Sequence, residues 1–369
     1  MKMRKIAIVY DWIDKWGGVE RILQYIHEAI PEADFYTSYY DIKNAYWAKD
    51  INIYSSFLQK MPRFIKKSRM LSLPLYPFAF ESFDFSTYDL VLSITSSFAK
   101  SIITKPKTRH VCYLLTPTRY LWSHENEYVT SDLLRFLLQP YISYLKKWDY
   151  IAAQRPDKIY SISQTVGDRC KKYYQRDSEV IYPPFDFDYW NKIKNNLQSL
   201  DNLGNKFFLM VGRLEKYKKN KLIVEAFNRM PDKKLIVIGK GTELAPLKRI
   251  ALNNTEFITE ITDEKLGMYY SQAEALIMPQ EEDFGYVSLE AQLFGCPVIS
   301  YDKGGATETI IENKTGVFFK SQTINTIIET LESFHTISYN LKNNLKNIDA
   351  DHYMRFGKTK FINNFVDTL

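Results

Sequence analysis

A buried-strand pattern followed by a glycine turn and an amphipathic helix occurs once in each half of this chain. The first copy starts with the apolar run Ile6–Tyr10, reaches Gly17-Gly18 and continues into a helix predicted over residues 19–30. The second copy starts with Phe207–Val211 and continues through Gly212 into another helical segment. Short apolar runs of this kind are typical of parallel strands buried on both faces. Each half is therefore predicted to begin a Rossmann-like domain.

Further short apolar runs extend the same pattern through both halves. They are predicted as strands at residues 90–94, 111–115, 158–163, 234–238, 275–278 and 297–300. Strands that alternate with helical segments indicate a parallel α/β sheet. A chain of 369 residues is too long for one ordinary core. We therefore predict two doubly wound Rossmann-like domains with a cleft between them.

Two consecutive prolines mark the predicted domain boundary. Pro183 and Pro184 favour a stiff, extended connection between domains. The first domain is accordingly predicted over residues 1–184 and the second over residues 185–350. Residues 351–369 are predicted as one amphipathic helix that crosses back onto the first domain.

The composition excludes several classes of protein. The three cysteines form no CxxC pair, so neither a disulfide framework nor a structural metal site is expected. The net charge of +6 favours anionic ligands such as phosphates. Because the chain has no dense basic stripe, we expect no nucleic-acid partner. No apolar run approaches the ~20 residues of a membrane span, and we expect a cytoplasmic protein.

Two glycine-bearing turns follow neighbouring predicted strands in the second half. One turn contains Phe284-Gly285 and the other contains Gly304-Gly305. Both should emerge at the carboxyl edge of the sheet, where open α/β proteins bind ligands. Gly285 allows the backbone to approach a ligand, and the helix after it directs free N–H groups towards a phosphate.

Two glutamates lie in and just after the first of these turns. Glu282 is in the turn itself, and Glu290 is eight positions further along, inside the predicted helix. Both carboxylates can therefore face one pocket from different depths. A carboxylate accepts hydrogen bonds from hydroxyl groups, which suits a sugar ring or a ribose.

This region resembles glycosyltransferase family 4, whose retaining enzymes carry two glutamates separated by seven residues, with Phe-Gly after the first. Glu282, Phe284-Gly285 and Glu290 match that signature, and Gly304-Gly305 begins the Gly-Gly-x-x-Glu turn that follows it. The resemblance covers nearly the whole chain and is closest to bacterial mannosyltransferases of surface polysaccharide synthesis. It implies the α/β GT-B fold, in which two Rossmann-like doubly wound domains face each other across a cleft.

The resemblance also implies a catalytic set. Glu282 would hold hydroxyls of the donor sugar, while Arg213 and Lys218 would neutralise the diphosphate. A departing nucleoside diphosphate gains negative charge, so fixed cations stabilise the transition state more than the ground state. Glu290 would hold the ribose. The other donor-binding positions implied are Phe284, Gly285, Gly17, Gly18, Gly304 and Gly305.

The first half supplies the acceptor side by the same resemblance. Asp11, Arg119 and Tyr120 match active-site segments of the family. Many relatives carry a histidine where this chain has Leu115, so the role of that imidazole does not carry over. Arg119 and His124 are the residues that could replace it in part.

Two further segments bear on metal binding and on membrane contact. Asp186-Phe187-Asp188 has the Asp-x-Asp form of metal-dependent transferases, but it follows the linker prolines, so we expect neither a metal nor another cofactor. Residues 59–71 combine five cations with apolar side chains. Such a segment either rests on an anionic membrane or forms a solvated helix face. The membrane alternative would place the protein at the inner face of the cytoplasmic membrane.

The sequence thus predicts a retaining glycosyltransferase that uses a nucleotide-diphosphate sugar as donor. The branch resemblance implies mannose from GDP-mannose, with UDP-sugars left open, and a lipid-linked or growing surface glycan as acceptor. Two other classes remain open. One is an enzyme related to nucleotide-sugar epimerases. The other is a non-catalytic partner of another transferase that binds nucleotide sugars, which is plausible because Leu115 stands where many relatives carry a histidine.

Overall fold

The chain forms two compact units in a computed structural model, which describes residues 4–123, 132–197, 206–348 and 350–366. One unit consists of Met1–Pro184 together with Lys358–Leu369, and the other consists of Phe185–Gly357. The division falls at the paired prolines. The second unit reaches seven residues beyond the end predicted at 350, to Gly357.

The first unit contains a seven-stranded sheet in the order β3-β2-β1-β4-β5-β6-β7, and every neighbouring pair is parallel. The prediction of a parallel sheet is confirmed. Strand β1 is buried along its whole length, as its continuous apolar run indicates. The strands are β1 Ile6–Tyr10, β2 Asp34–Thr37, β3 Ile53–Ser55, β4 Leu90–Thr95, β5 Arg109–Leu114, β6 Lys158–Ser161 and β7 Glu179–Val180.

The second unit contains a six-stranded parallel sheet in the order β10-β9-β8-β11-β12-β13. The strands are β8 Phe207–Val211, β9 Lys234–Ile238, β10 Thr255–Ile258, β11 Leu276–Met278, β12 Val298–Tyr301 and β13 Gly316–Phe319. The predicted central strands are confirmed. No strand was predicted at β2, β3, β7, β10 or β13, which are short strands at or near the sheet edges.

Helices connect the strands in both units. The α-helices are α1 Gly18–Ala29, α2 Arg63–Lys66, α3 Arg69–Ser72, α4 Tyr76–Glu81, α5 Arg119–Trp122, α6 Asp132–Ala152, α7 Gln164–Tyr174, α8 Phe187–Asn196, α9 Asn220–Asn228, α10 Leu244–Ile250, α11 Asp263–Gln272, α12 Tyr286–Leu293, α13 Ala306–Thr309, α14 Ile324–Leu345, α15 Ala350–Met354 and α16 Lys358–Val366. Short 3₁₀ helices lie at Tyr46–Ala48, Phe57–Lys60, Leu73–Leu75, Ala99–Ser101 and Lys216–Lys218.

The prediction of a single helix over residues 351–369 is wrong. The described part of this segment contains two helices, α15 and α16, which a turn at Gly357 separates. Phe356 is buried in the second unit, where its ring lies 5.6 Å from that of Phe284. In the first unit, the rings of Phe361 and Phe365 pack against Tyr113. The apolar residues of the tail thus pack in two different units.

Residues 59–71 contain the end of the 3₁₀ helix Phe57–Lys60, the whole of α2 and most of α3. Two of the five cations are engaged with acids, since Lys67 pairs with Asp41 and Arg69 with Asp14. Three large apolar side chains of the segment are exposed to solvent: Phe64 by 69%, Met70 by 78% and Leu71 by 53%. Among the described residues, no helix is long and apolar enough to cross a membrane.

Candidate active site

Three loops meet at the carboxyl edge of the second sheet. Strand β11 lies between β8 and β12, so the segments that follow these three strands are neighbours in space. They contain Lys218 after β8, Glu282 after β11 and Gly304 after β12. This is the edge where parallel α/β sheets bind ligands.

Lys218 and Glu282 form an ion pair across two of these loops. Lys218 ends the 3₁₀ turn Lys216–Lys218, and only 13% of its side chain is exposed. The same Glu282 oxygen, Oε2, also accepts a hydrogen bond of 3.0 Å from the side-chain amide of Gln280. The structure therefore brings together a cation and a carboxylate that the sequence analysis assigned to catalysis.

Gln280 is a site residue that the sequence analysis missed. It is buried, with 7% of its surface exposed, and it precedes Glu282 by two positions. Its place directly after β11 is the only sequence signal that could have identified it. Buried amides are usually hydrogen-bonded, so this contact fixes Glu282 whether or not a ligand is present.

Arg213 lies at the start of the loop that leads to Lys218, and its side chain is exposed. The side-chain amide of Asn220, at the first position of α9, donates to the Arg213 carbonyl at 3.4 Å. Arg213 and Lys218 therefore share one loop, as the sequence analysis predicted. The catalytic role of both residues stays a prediction.

Gly304 and Gly305 pack directly against the loop that contains Glu282. The Gly305 N–H donates to the Glu282 carbonyl at 2.6 Å, and Gly304 forms an isolated bridge with Glu282. A Cβ atom at Gly304 would lie 2.5 Å from the Glu282 carbonyl oxygen, and one at Gly305 would lie 2.5 Å from the Asp283 carbonyl oxygen. These glycines therefore position the Glu282 loop, while their contact with a donor stays a prediction.

Gly285 turns the chain into helix α12. Its φ of +99° is in the left-handed region that favours glycine. The Ser288 hydroxyl donates to the Gly285 carbonyl at 2.8 Å and holds this turn. The preceding Phe284 is buried, with its ring 5.2 Å from that of Tyr286. Phe284 thus contributes its side chain to the core, which leaves its backbone as the part that can meet a ligand.

Glu290 is buried in α12, the helix that directly follows the Glu282 turn. The hydroxyl of Tyr270 donates to its Oε2 at 3.0 Å. Tyr270 is itself fully buried and belongs to α11, and the sequence analysis did not mention it.

In the first unit, Asp11 anchors the loop that follows β4. It is fully buried and lies directly after β1. Its two carboxylate oxygens accept hydrogen bonds from five groups: the Thr95 hydroxyl, the Ser96 N–H and hydroxyl, and the N–H groups of Phe98 and Ala99. The structure therefore gives Asp11 a supporting role, through which it shapes the surface predicted to face the acceptor.

A buried ion pair continues this support towards Arg119 and Tyr120. Lys100 and Asp149 are buried, and their charged atoms are 2.6 Å apart. Lys100 also donates to the Thr118 hydroxyl at 3.2 Å, directly before Arg119 and Tyr120 begin α5. The sequence carries no signal that would have identified either Lys100 or Asp149.

The remaining predicted positions of the first unit follow β1 and β5, which β4 separates in the sheet. Gly17 caps α1 and Gly18 is its first residue, after β1, whereas Leu115 is buried directly after β5. The Leu115 N–H donates to the Thr95 carbonyl at 2.8 Å. His124 lies outside the described residues.

The Asp-x-Asp segment has a local structural role. Asp186 caps helix α8, because its Oδ1 accepts a hydrogen bond of 2.9 Å from the Tyr189 N–H. In the described residues, no three His, Cys, Asp or Glu side chains are grouped as metal ligands would be.

Comparison with solved structures places both units in a known class of fold. The structure of HepE of Anabaena in complex with UDP and glucose superposes with a TM-score of 0.71 at 18% identity, and the match covers 99% of each chain. The two parallel sheets and their alternating helices thus define the GT-B fold. The GT-B prediction is confirmed.

The sequence comparisons identify the family. Residues 192–350 match the family described as glycosyl transferases group 1. This part of the chain is therefore a group 1 glycosyltransferase domain. The predicted family resemblance is confirmed.

Two curated relatives show how far the similarity extends. An uncharacterized glycosyltransferase of Haemophilus influenzae is 23% identical over 386 aligned positions, which span the whole of both chains. The O-antigen chain mannosyltransferase C of Escherichia coli is 28% identical over 210 positions, which is 53% of each chain. The chain thus spans about half the length of the mannosyltransferase that it matches.

Proposed function

We propose that this glycosyltransferase moves mannose from GDP-mannose to a lipid-linked or growing surface glycan and retains the anomeric configuration. The Lys218–Glu282 ion pair at the carboxyl edge of the second sheet is the observation that carries this proposal. It places a cation suited to a diphosphate beside a carboxylate suited to sugar hydroxyls.

Lys218 acts on the leaving group in this proposal. When the bond between the sugar C1 and the phosphate oxygen breaks, negative charge grows on the nucleoside diphosphate. A fixed ammonium group near that oxygen lowers the energy of the transition state. Arg213 on the same loop and the N–H groups at the start of α12 add positive charge. These charges take the place that a metal ion has in other transferases, so we propose a reaction without metal or other cofactor.

Glu282 orients the donor sugar. Its carboxylate is fixed by Lys218, by Gln280 and by the packing of Gly304 against its backbone. A carboxylate held in this way accepts hydrogen bonds from sugar hydroxyls without first having to be ordered. This holds C1 in a defined position relative to the acceptor.

Retention follows if the acceptor attacks the face that the phosphate leaves. A bond forms between the acceptor oxygen and C1 while the bond from C1 to the phosphate oxygen breaks. The acceptor hydroxyl proton passes to the departing phosphate, so no separate protein base is needed. Asp11 is consistent with this scheme, because its carboxylate is already saturated by the loop at residues 95–99.

The choice of mannose rests on the Escherichia coli relative, whose name is that of a mannosyltransferase. The Anabaena structure instead holds UDP and glucose. A panel of GDP-mannose, GDP-fucose, UDP-glucose, UDP-galactose and UDP-N-acetylglucosamine separates these donors. The donor that binds the native state most tightly raises the melting temperature most.

We expect the largest shift with GDP-mannose, followed by release of GDP when a mannolipid acceptor is added. Chelation with EDTA should leave this rate unchanged, and NMR of the product should show the α configuration of the donor. A larger rise in melting temperature with a UDP-sugar would show that this UDP-sugar, and not GDP-mannose, is the donor. Turnover to an epimer without any acceptor would contradict transfer altogether.

A further inference from the structure

The buried hydroxyl of Tyr270 contacts the carboxylate of Glu290. It donates a hydrogen bond of 3.0 Å to Oε2, and the two residues are 20 positions apart on helices α11 and α12. Tyr270 is fully buried and Glu290 is 7% exposed. Burial keeps the pKa of Tyr270 well above its ordinary value, and the Glu290 carboxylate raises it further. The phenol therefore stays protonated and always acts as a donor.

The packing around Tyr270 fixes the direction of this hydroxyl. Its ring is stacked on Phe294, with centroids 6.0 Å apart and planes 29° apart. Phe294 also packs against Trp190, whose ring is perpendicular to it with centroids 6.0 Å apart. Gly267, one turn before Tyr270, lets α11 come this close, because a Cβ atom there would lie 2.8 Å from the Phe294 ring. The phenol thus has little freedom to turn away from Glu290.

We propose that Tyr270 is a positioning residue for nucleotide recognition, which orients the Glu290 carboxylate towards the ribose hydroxyls of a nucleoside diphosphate. This inference rests on the proposed function, since it takes Glu290 as the ribose-binding group of the donor site. A carboxylate that can rotate loses entropy when it binds two adjacent hydroxyls. A carboxylate whose one oxygen is already held by a fixed phenol has lost that freedom before the ligand arrives.

A merely structural role makes a different prediction from a positioning role. If Tyr270 only satisfied a buried carboxylate, its hydroxyl would matter for stability and equally for every nucleotide. If it positions Glu290, the hydroxyl matters for ligands that have the ribose hydroxyls and not for ligands that lack them. The contact is also the same before and during bond breaking, so its loss should raise KM for the donor and leave kcat unchanged.

The test compares Tyr270→Phe with wild type by isothermal titration calorimetry. The probes are GDP and UDP together with their 2′-deoxy and 3′-deoxy forms. Tyr269→Phe is the matched control, because it removes the same hydroxyl from the neighbouring position of α11, where the ring packs against Phe207 instead. Melting temperatures of all variants monitor the fold.

We expect wild type to prefer the ribonucleotide over its deoxy forms. Tyr270→Phe should weaken binding of the ribonucleotide about tenfold, as expected for one lost hydrogen bond to a charged group. The affinity of Tyr270→Phe for at least one deoxy form should stay within about twofold of the wild-type value. Tyr269→Phe should bind every probe as wild type does. Equal losses for ribo and deoxy forms, or no loss at all, would overturn the proposal.

A second variant keeps the test informative if Tyr270→Phe does not fold. Phe294→Leu retains the hydroxyl but removes the ring on which Tyr270 is stacked, and it should reduce the preference for the ribonucleotide in part. An unchanged preference in a folded Phe294→Leu variant counts against positioning. If wild type binds neither GDP nor UDP, the proposed function itself fails. If it binds them but shows no preference for ribose, only the present inference fails.

Discussion

Lys218 and Glu282 are 64 positions apart in the chain, yet their ammonium and carboxylate groups form an ion pair at the carboxyl edge of the second sheet. The contact exists because their loops follow β8 and β11, which are hydrogen-bonded neighbours. Both side chains are largely buried, so the pair is protected from much of the screening that weakens surface ion pairs.

Lys218→Met should nearly abolish transfer. Methionine keeps most of the apolar stem but cannot stabilise the departing diphosphate, so kcat should fall about 10²-fold to 10³-fold. The measurement is release of nucleoside diphosphate under saturating donor. Lys221→Met is the control, because Lys221 is exposed and pairs with Glu225 on the same helix. Comparable rates for the two variants would show that Lys218 has no part in the chemistry.

Gly304→Ala should impair both stability and activity more than Gly295→Ala does. Both glycines have φ in the left-handed region, at +85° and +79°, so both substitutions cost about 1 to 2 kcal/mol. Only at position 304 would the new Cβ also collide with Glu282, since no atom lies within 4 Å of a Cβ at Gly295. Melting temperatures and initial rates of both variants check this. Similar losses in both would mean that the close approach to the Glu282 loop is unimportant.

Asp11→Asn should destabilise the first unit by about 3 kcal/mol. The substitution removes the charge and turns an amide N–H₂ towards backbone N–H groups that need an acceptor. Urea unfolding measures the change, with the exposed Asp84→Asn as the control. Binding of nucleoside diphosphate should be unchanged in the folded variant if donor recognition belongs to the second unit. A stable Asp11→Asn variant would contradict the anchoring role.

Acidification should destabilise the first unit through His110. Burial lowers the pKa of this imidazole from 6.5 to about 3, so between these values the unfolded chain binds a proton that the folded chain does not. Stability therefore falls as the pH drops below 6.5, by about 1.4 kcal/mol per pH unit for this one group. His110→Gln should show a smaller decrease in melting temperature between pH 7.5 and 5.5 than wild type. The exposed His335→Gln is the control, and equal decreases in all three proteins would refute the assignment.

Anionic vesicles should bind residues 59–71 if this segment rests on a membrane. The exposed Phe64 and Met70 can insert their apolar side chains, while the cations of the segment contribute about 1 kcal/mol each. The double variant Phe64→Ser and Met70→Ser should sediment at least about tenfold less with phosphatidylglycerol vesicles. Tyr339→Ser, at an equally exposed site in the second unit, is the control. Sedimentation that does not differ between them would favour the solvated helix face.

The sequence was sufficient to predict the central strands and the positions of the key glycines. A short continuous apolar run such as Phe207–Val211 usually forms a strand that is buried on both faces of a parallel sheet. The edge strands were missed because they are short and half-exposed, as with Glu179–Val180. The tail was mispredicted because its periodicity continues through Gly357, although its aromatic residues pack in two different units.

The candidate site divides in the same way. Glu282, Glu290 and Lys218 have local motifs, so the sequence alone indicated them as site residues. The residues that support the candidate site have none, whether in the second unit (Gln280 and Tyr270) or in the first (Lys100 and Asp149). Which of these side chains meet depends on strand order, because contacts between distant segments arise only when the sheet sets β8 beside β11 and β11 beside β12. The sequence by itself therefore determined the class of fold and the residues that carry the motif, while the tertiary structure alone decided which groups hold those residues in place.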